Sequence, residues 1–214
     1  MKIKVLTDYE NLKDVIPNIV TNTILDLYDG DPDTHTSDFV EDPVIPAEEQ
    51  CKNLANKLKG AKLQQVGGAK IVGINFSART TLEVREWPEG MPDFAHFDEE
   101  MYCEKTRDER IRDSKTIALT KYKFPRPFSI SKLPSKAISM QSVFNDDGDF
   151  RIYQGVWRMQ PLPGCADPSV GAMRLTYAVE ISPRAYMPVR LVEGRLAQDL
   201  CTNLEAIRDF VTTA

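Results

Sequence analysis

Two histidines and four cysteines are all the imidazole and thiol this 214-residue chain carries, and neither set is spaced for chemistry. His35 and His96 each sit in a polar, acidic stretch, which leaves little material for a histidine base or a histidine-rich metal site. Cys51, Cys103, Cys165 and Cys201 lie far apart without a CxxC pair, so neither a zinc knuckle nor a disulfide scaffold is expected, and free thiols are the default. His96, Asp98, Glu99, Glu100 and Cys103 can be drawn as a metal cluster, but the spacing matches no known ligand set and reads as a solvated acidic loop. We therefore expect no metal and no cofactor. Asn75-Phe76-Ser77 fits a glycosylation sequon but falls inside a strand pattern. Gly67-Gly68 is followed by no Lys-Ser/Thr and no helix start, so it reads as a hairpin turn rather than a phosphate loop.

Gln154 and Arg158 are the polar pair whose position matters most. They share parity with Phe150, Ile152 and Val156. If that face is inward, two polar groups enter an apolar side, where a buried arginine needs a partner and can recognise a ligand head group. The opposite parity puts Tyr153, Trp157 and Met159 inward and leaves Arg158 in solvent.

Composition bounds the class of protein that must position these groups. Hydrophobic residues make up 42% and charged residues 28%, a globular balance at a length that fits one domain, residues 1–214. The net charge of −5 argues against a nucleic-acid partner, which needs a clustered Lys/Arg surplus. No apolar run approaches the roughly 20 residues of a membrane-spanning helix. The N-terminal MKIKVLTDYENL has neither an apolar core nor a Ser/Arg-rich leader, so no targeting peptide is expected within the chain.

Along the chain, Leu12, Val15 and Ile16 are spaced as a short helix that Thr7 or Asp8 can cap, and Pro17 interrupts it. Ile19–Leu27 reads as a strand. Residues 31–60 form an Asp/Pro/Thr-rich mobile loop with a short exposed helix at Glu48–Lys59, stopped by Gly60. From Ala61 the pattern is β. Val72, Ile74, Phe76, Ala78, Leu82 and Val84 share one parity, while Asn75, Ser77, Arg79, Glu83 and Arg85 make a wet face. Residues 88–116 read as a second, highly charged insertion, and 117–135 as extended proline-containing chain at an edge or on the surface. Strands follow at Lys136–Phe144, Asp149–Gln160 and Ala172–Ser182, the first two joined by the turn NDDG. A helix runs from Pro188 to about Val211, with Val189, Val192, Leu196, Leu200, Leu204, Ile207 and Val211 as one apolar stripe. Its stripe must lie along the apolar sheet face, which makes the chain α+β with a curved antiparallel sheet around a long C-terminal helix.

Four blocks resemble a known family in order and spacing: LTDYENLKDVIPNI at 6–19, QQVGGAKIVGINFSARTTLEVRE at 64–86, GDFRIYQGVWRMQ at 148–160, and LTYAVEISPRAYMPVRLVEGRLAQDLCTNLEAIRDF at 175–210. They are similar to the polyketide cyclase/dehydrase group of START-like proteins, which includes coenzyme-Q-binding relatives and a plastid branch in plants and algae. The resemblance implies a helix-grip fold: a seven-stranded antiparallel sheet, two short helices after the first strand, a long C-terminal helix and a hydrophobic cavity between helix and sheet. The strand expected before VLTDYENL is absent or reduced to MKIK. Either a sheet edge stays open, or a leader and first strand were lost upstream. The second case implies the plastid stroma, and otherwise the cytoplasm is expected.

On this reading Val72, Ile74, Phe76, Leu82, Met140, Tyr177, Val179, Leu196 and Leu200, with Gln154 and Arg158 as polar groups, line a cavity for a hydrophobic small molecule such as a lipid, quinone or isoprenoid. The leading expectation is a non-enzymatic carrier or binder. A cyclase or dehydratase is the enzymatic alternative, with Tyr177, Arg79 and Asp199 as members of an aromatic-cyclase-type site. A protein-interaction module docking through the acidic insertions is the third, and it expects a filled core.

Overall fold

The computed structural model describes residues 4–71, 74–92, 122, 124–130, 133–143, 148–165, 171–184 and 189–213. Six strands run β1 Ile19–Tyr28, β2 Gly60–Ile71, β3 Ile74–Trp87, β4 Lys136–Ser142, β5 Phe150–Pro161 and β6 Met173–Pro183. They form one curved, open antiparallel sheet in sequence order, β1-β2-β3-β4-β5-β6. Two single helical turns, α1 Lys4–Thr7 and α2 Leu12–Val15, precede the sheet. Helix α3 Ala47–Ala55 lies between β1 and β2, and the long α4 Val189–Thr213 ends the chain. The architecture is α+β, as the alternation and the final helical stripe require. Lys4 opens a helical turn rather than a strand.

The alternation in β3 separates two cores. The even positions Leu82 and Val84 join Leu63, Ile138, Trp157, Met159 and Ile207 in a cluster on the α4 side, closed by Leu6, Tyr9, Leu12 and Ile16 from the N-terminal turns. The opposite face is not wet, as its polar composition led us to expect. Residues 31–59 fold back over it, and α3 buries Cys51 and Ala55 against Trp87, Ala137 and Val156. The segment read as a mobile loop with an exposed helix is thus a third layer, and Arg85 lies under it at 7% exposure. Arg85 is satisfied there: Nη1 donates to the Leu58 carbonyl at 3.0 Å, Nη2 to Glu83 Oε1 at 2.7 Å, and the guanidinium sits 3.9 Å from the Tyr28 ring centre. A buried charge is tolerable only with such full pairing.

The proline-containing arm is held on this same face by glutamines. Gln160 accepts from the Ile130 N–H at 2.8 Å and donates to the Ile130 carbonyl at 3.0 Å, and Gln141 accepts from the Tyr122 N–H at 3.1 Å. Trp87 Nε1 donates to Ser139 Oγ at 2.8 Å beneath it.

Two local expectations fail. Gly67-Gly68 is not a turn: both residues sit within β2, paired with Ala78 and Ser77, and the β2–β3 pairing continues to Ile71 and Ile74. Neither glycine has the positive φ that turn geometry would show. The α4 stripe also ends early. Ile207 is buried but Val211 is 43% exposed, because the last turns project beyond the core. Pro188, most of the NDDG turn and residues 93–116, including His96 and Cys103, lie outside the described residues.

Candidate functional site: a cavity beneath the C-terminal helix

Where α4 crosses the sheet, side chains do not close the space. A cavity of about 230 Å³ remains between α1, α2, the inward faces of β2–β6 and the Leu196–Asn203 stretch of α4. This exceeds the roughly 150 Å³ of an apolar cavity that stays dry and admits benzene. Leu12 and Ile16 line it from α2, Leu63 from β2, Leu82 and Val84 from β3, Ile138 and Met140 from β4, and Leu196 and Leu200 from α4.

Its β5–β6 wall is aromatic. Tyr177 stacks on Trp157 with ring centres 3.9 Å apart and planes 10° from parallel. The Tyr177 hydroxyl hydrogen-bonds Tyr153 at 3.1 Å and lies 3.6 Å from Met140 Sδ. This arrangement depends on Gly155: a Cβ there would sit 2.8 Å from the Tyr177 hydroxyl. Burial raises the pKa of both phenols, so Tyr153 and Tyr177 stay protonated through the neutral range. Tyr9, also in the lining, donates to Glu86 Oε1 at 3.0 Å; burial raises its pKa, and the Glu86 carboxylate adds to the effect.

The opposite end is polar, built by Asn18, Gln65, Ser77, Thr80, Asp199 and Asn203, with Gly67 leaving room. A Cβ on Gly67 would meet nothing closer than the Asn18 carbonyl at 3.7 Å. Asn18 ties the start of β1 to α4, its Nδ2 donating to the Asp199 carbonyl at 3.3 Å and to Asn203 Oδ1 at 3.0 Å.

Of the residues expected to line the site, Leu82, Met140, Tyr177, Leu196 and Leu200 do so. Val179 lies on β6 between two lining residues, Tyr177 and Ile181, but is not itself in the lining. Val72 lies outside the described residues, as do the side chains of Ile74 and Phe76.

Gln154 and Arg158 are a correction, since they face the other side of the sheet. Gln154 is buried there, and Arg158 Nη1 donates to the Pro127 carbonyl at 2.6 Å, holding the proline arm. Their apparent kinship with Phe150 is broken by a register shift between Phe150 and Ile152. The bulge puts Phe150 on the same side as Tyr153, ring centres 5.8 Å apart, and both line the cavity. Tyr177 and Asp199 reach the cavity, but Arg79 is exposed on the other parity, so the three do not converge. Tyr153 and Trp157 line it as the opposite parity expects, while Tyr9, Asn18, Gln65, Phe150 and Asn203 are lining residues that sequence reasoning missed.

Among the described residues no helix is long and apolar enough to cross a membrane, and no group of three or more His, Cys, Asp or Glu is placed to hold a metal. The class of architecture is therefore an antiparallel sheet with a helix laid over a lined cavity. Comparison with family models, curated proteins and solved structures finds no match to the chain.

Proposed function

We propose that this chain is a START-like, helix-grip binder or carrier that buries a hydrophobic small molecule beneath its C-terminal helix. The observation that carries this reading is the 230 Å³ space, walled mainly by aliphatic and aromatic side chains and capped by polar groups at one end. Interiors are normally packed to crystal-like density, so an unfilled apolar space of this size favours a ligand over a structural core. It also runs against a pure interaction module, which needs no such space. The lining phenols stay protonated and hydrogen-bonded, which supports binding over proton transfer, since a general base works best with a pKa near ambient pH.

Titration with phenylnaphthylamine, a neutral apolar dye that brightens in dry surroundings, tests the reading. One saturable site per chain, displaced by decanol, is expected. Absence of saturable binding by the folded protein would overturn it.

A further inference from the structure

We infer that the cavity selects a neutral ligand whose head is a hydroxyl, able to donate as well as accept a hydrogen bond, over acceptor-only heads such as quinones, ketones or ionised carboxylates. This rests on the cavity being a ligand site, as proposed above.

Two main-chain carbonyls, which can only accept, fix the orientation of the amides around them. Asn22 Nδ2 donates to the Tyr9 carbonyl. Its Oδ1 must therefore point the other way, where it accepts from Gln65 Nε2 at 3.0 Å. That in turn commits the Gln65 amide: its nitrogen faces Asn22 and its Oε1 is left over. On the α4 side, Asn18 Nδ2 donates to the Asp199 carbonyl at 3.3 Å and to Asn203 Oδ1 at 3.0 Å, which uses both of its hydrogens. Asn18 keeps its Oδ1, and Asn203 keeps its Nδ2.

Among the described residues no protein group takes up these three atoms, and all three side chains line the cavity. Beside the Ser77 hydroxyl, the polar end thus presents two carbonyl acceptors and one amide donor. A hydroxyl satisfies both kinds, giving its hydrogen to Asn18 or Gln65 and accepting from Asn203. A ketone or ether engages only the donors, Asn203 Nδ2 and the Ser77 hydroxyl, and sets its lone pairs against the two carbonyl oxygens. A carboxylate adds a negative charge facing the same oxygens, at the end that Asp199 also lines. Sites built to pair with a hydroxyl bind analogues lacking one more weakly, because their own polar groups then go without that partner.

The test uses the full chain and three probes that share a decyl tail: decanol, decyl methyl ether and decanoate, each competing with phenylnaphthylamine. Decanol is expected to displace the dye at a concentration roughly three- to tenfold below the ether, the effect of one net hydrogen bond, and below decanoate. In Gln65→Met and Asn203→Leu, with melting confirmed, the alcohol-to-ether ratio is expected to fall toward one. If only one of the two variants folds, that one suffices. Ether or decanoate binding as tightly as decanol while the dye still saturates overturns the head-group inference and leaves the cavity reading standing. A ratio unchanged in the folded variants overturns its assignment to these amides. Failure of the dye to bind wild type overturns the cavity reading itself.

Discussion

Replacing Gly67 with leucine sets a side chain into the cavity from the middle of a strand. The register between β2 and β3 is unbroken from Gly60 to Ile71, so position 67 shares the inward face of Leu63 and Gln65. Its nearest neighbours would be the Asn18 carbonyl at 3.7 Å and the Ala78 carbonyl at 3.9 Å, both ordinary contact distances. The backbone there is extended, without positive φ, so leucine brings no strain. Burying the side chain contributes about 1.5–3 kcal/mol. Removing a strand glycine adds about 0.5–1 kcal/mol, against about 0.5–1 kcal/mol of lost rotamer freedom. The net is a gain of about 1.5–3 kcal/mol, or roughly 3–12 °C in Tm for a chain of this size. Dye binding should weaken at least tenfold in the same sample. Thermal melting and dye titration, run side by side, read the two effects, and their opposite signs identify a filled ligand cavity. A loss of about 1–3 kcal/mol, the mark of overpacking, would mean that the space does not exist. A gain in stability with dye binding intact would place the dye elsewhere.

At Gly155 the same kind of change should have the opposite sign. Gly155→Ala drives a Cβ into the Tyr177 hydroxyl and is expected to cost about 1–3 kcal/mol by urea unfolding, with a changed near-ultraviolet aromatic signal as Tyr177 leaves Trp157. Along α4, Leu196→Ala and Leu200→Ala should cost less than about 2 kcal/mol because these side chains already face open space, whereas Leu58→Ala and Ile207→Ala, buried away from the cavity, should cost about 2–5 kcal/mol; equal costs in denaturant would contradict the cavity.

The loop contact between His35 and Glu89, at 3.0 Å, should depend on pH at both ends. The Ser37 N–H, then His35 and the Ser37 hydroxyl, hold Glu89 near about 2 instead of 4.5, so its contribution is present above 4.5 and lost as pH falls toward 2. The hydrogen bond and charge of Glu89 raise His35 above 6.5, so that contribution is present below 6.5 and lost as pH rises through the raised value. Protection of the Ser37 amide, its exchange relative to the intrinsic rate at each pH, should be greatest between about pH 4.5 and 6.5, and an NMR titration should return His35 to its ordinary value in Glu89→Gln.

The sheet and the final helix were legible because each carries a long periodic pattern. Leu82 and Val84 alternate with Glu83 and Arg85, and Leu196, Leu200, Leu204 and Ile207 recur at helical spacing. The layer made by residues 31–59 was not legible, because α3 packs through Cys51 and Ala55, small residues in a polar segment with no long apolar stripe. Arg85 looked solvated for the same reason: its partners, the Leu58 carbonyl and Tyr28, come from the covering segment and a distant strand. The β5 part of the cavity wall was obscured by one bulge. Counting parity from Phe150 through the register shift assigns Gln154 and Arg158 to the wrong face, whereas Tyr153, Trp157 and Met159 do alternate inward. Gly67-Gly68 looked like a turn by composition, but the pairing runs three residues further, to Ile71. The Asn18–Asn203 contact joins residues 185 positions apart, and no local spacing announces such a pair.

The central claim is that the space under α4 is a ligand site, and the most direct measurement is mass spectrometry of organic extracts from natively purified wild type and Gly67→Leu, each beside a boiled control. We expect a near-stoichiometric apolar molecule bearing a hydroxyl head in the wild-type extract and its loss from the variant. Extracts that are equally empty, or that hold the same molecule in the same amount, would contradict it.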